Sequence, residues 1–430
     1  MDKFIIQGGV PLSGEVTPSG NKNAALPLLS ACLLTDEPVI FHNIPEILDV
    51  QIMRALLESL GVQIDTISNH TWRVQAKEVC PADLDPDICR RIRASILLAG
   101  PMVARTGELH LPPPGGDVIG RRRVDTHILA LKALGAEAEY NRAGRVFDFK
   151  ARQLVGTNIL LDEASVTATE NAIMAAVTSQ GTTVLKNAAS EPHVQELCQF
   201  LNLLGGQVEN IGSNTLHIHG VSKLHGGEYF IGPDYLEVVS FIGAAIVTHG
   251  AIRIRKAGIQ YLDMIRLVLR RLGVEWEVEG EDLVIPSDQY LDIEPDLGDA
   301  IPVISVMPWP AFPTDLMSIA IVIATQSQGS ILFHDWMYPS RMFFIDKLVG
   351  MGAQIVLCDP HRCIVIGPTQ LFGEKMESPD IRAGMALVLA ALTAEGQSII
   401  RNVGQIDRGY ERIDEKLRAL GARIDRVKEA

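Results

Sequence analysis

A short motif returns six times along this chain, and that return constrains the fold more than any single stretch does. A helical run closes on Leu-Gly or Met-Gly and alternating residues follow: Leu60-Gly61-Val62, Leu134-Gly135-Ala136, Leu204-Gly205-Gly206, Leu272-Gly273-Val274, Met351-Gly352-Ala353 and Leu420-Gly421-Ala422. The glycines stand 74, 70, 68, 79 and 69 residues apart. Glycine suits the residue just past a helix, where the backbone turns left-handed. The residues after it alternate apolar and polar, as in Val62-Gln63-Ile64-Asp65 and Ala422-Arg423-Ile424-Asp425, which is the period of a half-buried strand.

A second element recurs in phase with the first. Apolar helical stretches at Ala94–Ala104, Asn171–Ser179, Val238–His249, Leu316–Gln326 and Gly384–Ala394 run into Gly107, Gly181, Gly250, Gly329 and Gly396, each followed by a strand. A sixth, Ala24–Leu34, lacks the terminal glycine. These stretches are apolar on nearly every face, so they belong inside the protein. Each unit of about 70 residues therefore reads strand, buried helix, strand, second helix, two strands. The expected class is α/β (α+β): two inside-out α/β barrel domains, each of three repeated βαβαββ units, with helices inside and sheets outside. The 430 residues exceed one comfortable core. The turn-forming Ser19-Gly20-Asn21 and Gly232-Pro233-Asp234 mark the crossings. The domains expected are 21–232, and 1–20 with 233–430.

A net charge of -14 argues against nucleic-acid binding, so an anionic ligand must be met by local basic clusters. The six cysteines are scattered without a CxxC pair, which suits a reducing cytoplasm and indicates neither a zinc ribbon nor a disulfide framework. Met1-Asp2-Lys3-Phe4-Ile5-Ile6 shows no signal-peptide pattern, and no apolar run approaches the ~20 residues a membrane span needs.

Chemistry concentrates between Leu111 and His127. Three prolines and Gly115, Gly116 and Gly120 make a loop, with Asp117 between the glycines and Arg121, Arg122 and Arg123 after them. An acid on a glycine-hinged loop beside guanidinium groups suits proton chemistry on an anionic substrate. His217-Ile218-His219 lacks a third ligand nearby and reads as strand surface.

With Ser19-Gly20-Asn21-Lys22-Asn23-Ala24-Ala25-Leu26 near its start, the chain resembles the enolpyruvyl transferase family over essentially its whole length. The same likeness runs through Arg93-Ala94-Ser95, Pro114-Gly115-Gly116, Ser165-Val166, Phe312-Pro313-Thr314-Asp315, Asp380-Ile381-Arg382-Ala383 and Asp407-Arg408-Gly409-Tyr410. The resemblance implies transfer of the enolpyruvyl group of phosphoenolpyruvate to the 3-hydroxyl of UDP-N-acetylglucosamine, with release of phosphate. That step would commit material to peptidoglycan, in the cytoplasm, with no cofactor, metal or obligatory protein partner. Alternatives are an enolpyruvyl transferase with another acceptor, such as a free nucleotide, or a silent paralogue that binds a nucleotide sugar.

Carried over position by position, Lys22 would bind phosphoenolpyruvate and Asn23 the reacting centre. Arg122 and Arg408 match phosphate and carboxylate clamps, and Arg382 an arginine near the carboxylate. Arg93 matches an arginine that contacts the nucleotide sugar or orders the loop. Arg122, Arg123, Val124, Asp125 and Thr126, with Ser165, Val166, Thr167 and Met337, match positions lining that sugar, and Arg341 is counted with them. Asp315 would be general base or orienter for the acceptor hydroxyl; it is also placed to cap a helix. Asp117 would be the general acid, where the family usually has cysteine, which makes the chain an expected fosfomycin-insensitive member. Further departures are Tyr235 for the usual Arg, Thr167 for Gly, Leu316-Met317 for Met-Gln and Pro339-Ser340 for Glu-Asn.

Overall fold

The computed structural model of the chain describes residues 2–81, 84–116 and 123–428. In it the six recurring glycines all take left-handed backbone, with φ from 81° at Gly273 to 105° at Gly352. At Gly61 space as well as dihedral demands the residue, because an added Cβ would stand 2.8 Å from the Glu78 carbonyl oxygen.

The described residues divide into two compact units. One runs from Gly20 to Gly232; the other joins the residues through Ser19 to those from Pro233 onward. The Gly20–Gly232 unit carries three sheets. Gly227–Phe230, Val39–His42, Thr71–Gln75 and Gln63–Ser68 form one, in that order. Its first pair is parallel, with Glu228 opposite Ile40, and the rest are antiparallel, with Ile40 opposite Arg73. Gln207–Glu209, Thr215–His219, Thr182–Lys186 and Asn158–Leu160 form the second. The other unit has three sheets on the same plan, one of which sets Asp2–Gln7 between Gln397–Arg401 and Arg423–Lys428.

One copy departs from the expected repeat. The sheet of Glu108–Leu111, Val146–Lys150 and Glu137–Asn141 has three strands, and no leading parallel strand is found for it among the described residues. The chain ahead of it forms the helix Pro86–Arg91 instead, with the Asp85 side chain accepting from Asp87 N. Pro81 and Pro86 cannot donate ladder hydrogen bonds, and Asp85-Pro86 is a ready helix start.

Each unit has its own apolar core, built on helices buried along most of their length. These are Lys22–Ala31, Ala99–Thr106 after the 3₁₀ turn Arg93–Leu98, and Val166–Ala176 in one unit. In the other they are Tyr235–Val247, Met317–Ala324 and Ile381–Thr393. Every residue of Tyr235–Val247 is buried. Gly243 lets its neighbours close in, since a Cβ there would stand 2.9 Å from both Ile319 and Leu389 side chains. Truncating a fully buried leucine such as Leu389 to alanine costs about 2–5 kcal/mol. Several helices begin earlier than their apolar runs suggest: Val166 rather than Asn171, Tyr235 rather than Val238. Their first turns carry polar residues among the apolar ones, Thr167 in the first and Glu237 in the second. Asp234 and Asp380 cap the helices that follow them by accepting from the second and third backbone N–H groups after them. Among the described residues no helix is long and apolar enough to cross a membrane.

Candidate active site

In the Gly20–Gly232 unit, Lys22 opens a buried helix. Asn21 fixes that start, its Oδ1 accepting from Asn23 N at 2.9 Å and Ala24 N at 3.2 Å. Gly20 must be glycine, because a Cβ would fall 1.8 Å from the Asn43 carbonyl oxygen. Lys22 is 7% exposed and its Nζ lies 2.7 Å from Asp49 Oδ2, itself on a residue 4% exposed. A buried cation at a helix N-terminus opposes the helix dipole, so stability is no reason for its place there. Asn23 is half-buried beside it.

The proline–glycine loop leads from the strand Glu108–Leu111 across the backbone around Arg90 and Arg93. Gly115 N donates to Cys89 O at 3.3 Å, and a Cβ on Gly115 would sit 1.6 Å from Arg90 O. Asp117 and Arg122 lie outside the described residues. Past them, Arg93 Nη2 donates to the Arg123 carbonyl at 2.7 Å, so Arg93 holds the chain where it enters the helix Asp125–Ala133. Asp162 gathers that entry: Arg123 Nη2 donates to it at 3.0 Å and Thr126 Oγ1 at 2.7 Å, while Arg123 Nε reaches Asp125 at 3.3 Å. The Thr126 hydroxyl first, then the Arg123 guanidinium, hold the Asp162 carboxyl below its usual range. Val124 is the residue that precedes the helix. Ser165 stands at the N-cap of Val166–Ala176 with no side-chain capping bond, and Val166 and Thr167 form its half-buried first turn.

The other unit gathers its candidate residues around Asp315, in the 3₁₀ turn Thr314–Leu316 ahead of the buried helix Met317–Ala324. Pro313 and Leu316, not Asp315, stand at the N-cap positions of the turn and the helix. Asp315 faces two arginines: Arg341 Nη2 donates to Oδ1 at 2.8 Å, and Arg382 Nε lies 3.6 Å from Oδ2. Arg341 is 4% exposed and Arg382 6%, each stacked on an aromatic ring, Tyr338 at 5.4 Å and Tyr410 at 5.6 Å. Burial works against both guanidinium charges, but Asp315 outweighs it with its neighbours, so both stay charged. Arg341 Nε and Arg382 Nη1 are nevertheless buried donors with no hydrogen-bond partner among the described residues. An unfilled buried donor costs about 1–3 kcal/mol, which a folded protein tolerates where a ligand completes it.

Two residues to which sequence reasoning gave no role carry this arrangement. Asp335 is fully buried and accepts from Thr314 Oγ1 at 2.6 Å, Met337 N at 3.0 Å and Tyr338 N at 3.2 Å. It thereby fastens the turn bearing Met337 and Arg341 to the segment bearing Asp315. Tyr410 is the second, its hydroxyl 2.9 Å from Ser240 Oγ beneath Arg382. Arg408 is half-buried and donates to Gln405 Oε1 at 2.9 Å. The aromatic Tyr235, buried against Trp309, occupies a place where the resemblance implied an arginine.

Three comparisons bear on this geometry. The chain matches the family described as EPSP synthase (3-phosphoshikimate 1-carboxyvinyltransferase) over residues 6–417. It is 55% identical over 427 residues to the UDP-N-acetylglucosamine 1-carboxyvinyltransferase of Bradyrhizobium diazoefficiens, covering 99% of this chain and 98% of that one. To the protein of that name from Treponema denticola it is 53% identical over 425 residues, covering 99% of each. Among solved structures it is similar to the enolpyruvyl transferase NikO from Streptomyces tendae, with TM-score 0.88, 24% identity and coverage of 100% and 99%. An EPSP synthase from Acinetobacter baumannii superposes with TM-score 0.76 at 17% identity over both whole chains. These two likenesses speak to the fold, the paired inside-out α/β architecture expected from the repeats.

Proposed function

This chain belongs to the EPSP synthase family of enolpyruvyl transferases, and from that premise we propose that it transfers the enolpyruvyl group of phosphoenolpyruvate to the 3-hydroxyl of UDP-N-acetylglucosamine. The observation that carries the choice of acceptor is identity of 55% across nearly the whole length with a relative bearing that activity in its name. The unfilled guanidinium donors beside Asp315 fit an anionic substrate.

The acceptor oxygen attacks C2 of phosphoenolpyruvate while C3 gains a proton, giving a tetrahedral adduct. Loss of a C3 proton and departure of phosphate then restore the double bond on the product. Asp315, held by Arg341 and Arg382, takes the acceptor hydroxyl and its proton. Lys22, Asn23, Arg122, Arg382 and Arg408 bind phosphoenolpyruvate, and Asp117 delivers and removes the C3 proton. Arg93 orders the chain at Arg123, and Arg123, Val124, Asp125, Thr126, Ser165, Val166, Thr167, Met337 and Arg341 position the sugar nucleotide. The step feeds peptidoglycan precursor synthesis in the cytoplasm and uses no protein partner. Phosphate release with UDP-N-acetylglucosamine, UMP and shikimate 3-phosphate in parallel tests the reading. Turnover confined to UDP-N-acetylglucosamine is expected; turnover confined to either other acceptor overturns it.

A further inference from the structure

A chain of hydrogen bonds inside the Gly20–Gly232 unit settles the direction of a proton that no single contact reveals. It begins at Asn171, buried in the helix Val166–Ala176. Gly100 N lies 2.7 Å from Asn171 Oδ1, and a backbone N–H can only donate, so that atom is the amide oxygen. The amide nitrogen Nδ2 donates to the Ile96 carbonyl at 2.8 Å and points its other hydrogen at His127 Nδ1, also at 2.8 Å. His127 Nδ1 therefore accepts, and the ring proton sits on Nε2. Nε2 lies 3.1 Å from Thr167 Oγ1 and must donate to it. A hydroxyl that accepts at this position keeps its one proton to give elsewhere, and no other hydrogen bond of the Thr167 hydroxyl is formed among the described residues.

The chain is rigid where it needs to be. His127 and Asn171 are fully buried, and Gly100 allows the helices to meet, since a Cβ there would stand 2.4 Å from Asn171 O. Burial first, then the Arg93 guanidinium, push the imidazole pKa down to about 3, so the ring is neutral throughout the working range. His127 also ties together the two helix starts on which Thr126 and Thr167 stand.

We infer that His127 is a positioning residue for the acceptor: by donating its Nε2 proton to Thr167, it directs the Thr167 hydroxyl proton to an oxygen of the bound sugar nucleotide. This rests on the acceptor reading above and adds a donor that is independent of pH. A neutral hydrogen bond contributes about 0.5–1.5 kcal/mol net, so its loss weakens binding by about 2- to 13-fold.

The test is calorimetric titration of UDP-N-acetylglucosamine into the full-length protein. Thr167→Val should weaken binding about 2- to 13-fold, and Thr167→Ser should restore it. His127→Leu should weaken it similarly, and Thr167→Val in that background should add nothing. Nitrogen NMR of histidine-labelled protein reads the tautomer directly, whether or not the His127 variant folds. An Nε2–H ring, unchanged from about pH 5 to about pH 9, is expected. Wild-type affinity in Thr167→Val, or an Nδ1–H ring, overturns the inference. If wild type itself neither binds nor turns over this acceptor, the acceptor reading has failed and the inference falls with it; wild-type turnover with an unaffected Thr167→Val condemns the inference alone.

Discussion

Arg341→Met removes one of the two guanidinium groups on Asp315 while keeping most of the buried volume filled. The substitution deletes a charge-assisted hydrogen bond of 2.8 Å, worth about 1.5–3 kcal/mol. Two features keep that deletion from becoming a folding defect. Asp315 retains Arg382 Nε at 3.6 Å, and 31% of its side chain is open to water, so its charge is not stranded. Methionine also removes a buried Nε donor that has no partner among the described residues, which offsets part of the cost. We therefore expect a stability change of at most about 2 kcal/mol. Activity should suffer more, because the acceptor proton must be taken by a carboxylate held in one orientation. If the whole 1.5–3 kcal/mol is expressed in the transition state, kcat/KM falls about 10- to 150-fold. Arg341→Lys keeps charge but gives up the planar fork and the stack on Tyr338, and should recover only part of that activity. Steady-state phosphate release and urea unfolding curves measure the two quantities separately. A folded Arg341→Met within about 3-fold of wild type would refute the role given to the Asp315–Arg341 pair.

Asp117→Asn should be inactive, the wild-type protein should resist fosfomycin, and Asp117→Cys should become sensitive, since a thiolate attacks an epoxide far faster than a carboxylate; intact mass after incubation with the drug reads the adduct, and labelling of wild type at this position sinks the idea. Arg408→Glu should abolish turnover with an unchanged unfolding curve, whereas Lys22→Glu would set two buried carboxylates together at Asp49 and destabilise the fold, so Lys22→Met is the cleaner probe of the phosphoenolpyruvate site; a near-normal rate in Arg408→Glu or Lys22→Met removes that residue from the site. His127 has a depressed pKa in the folded state, so it contributes stability above about pH 6.5 that is lost as pH falls toward about 3. His127→Leu should flatten the acid limb of the stability–pH curve by one proton's slope over that interval, and an unchanged limb would show that the ring is not held neutral.

The repeat and the buried helices were legible in the primary structure because both are local. A left-handed glycine after a helix is a property of one residue's backbone, and six such positions kept step. Helices apolar on all sides announce that they lie inside. Where local signals changed meaning, the reading erred: the acid and proline ahead of Arg90 start a helix in place of a strand, and single polar residues such as Thr167 and Glu237 hid the true beginnings of Val166–Ala176 and Tyr235–Val247. The candidate residues of the site were named from motifs, but what each one touches was decided by tertiary structure. Asp315 meets Arg341 from 26 residues along and Arg382 from further still, and the fully buried Asp335 joins their segments without any motif of its own. His127 looks like an ordinary helix residue until Asn171, 44 residues away, assigns its tautomer. Side-chain periodicity encodes which face is buried. Which donors and acceptors face one another depends on how elements distant in sequence come together, and that information exists only in the packed fold.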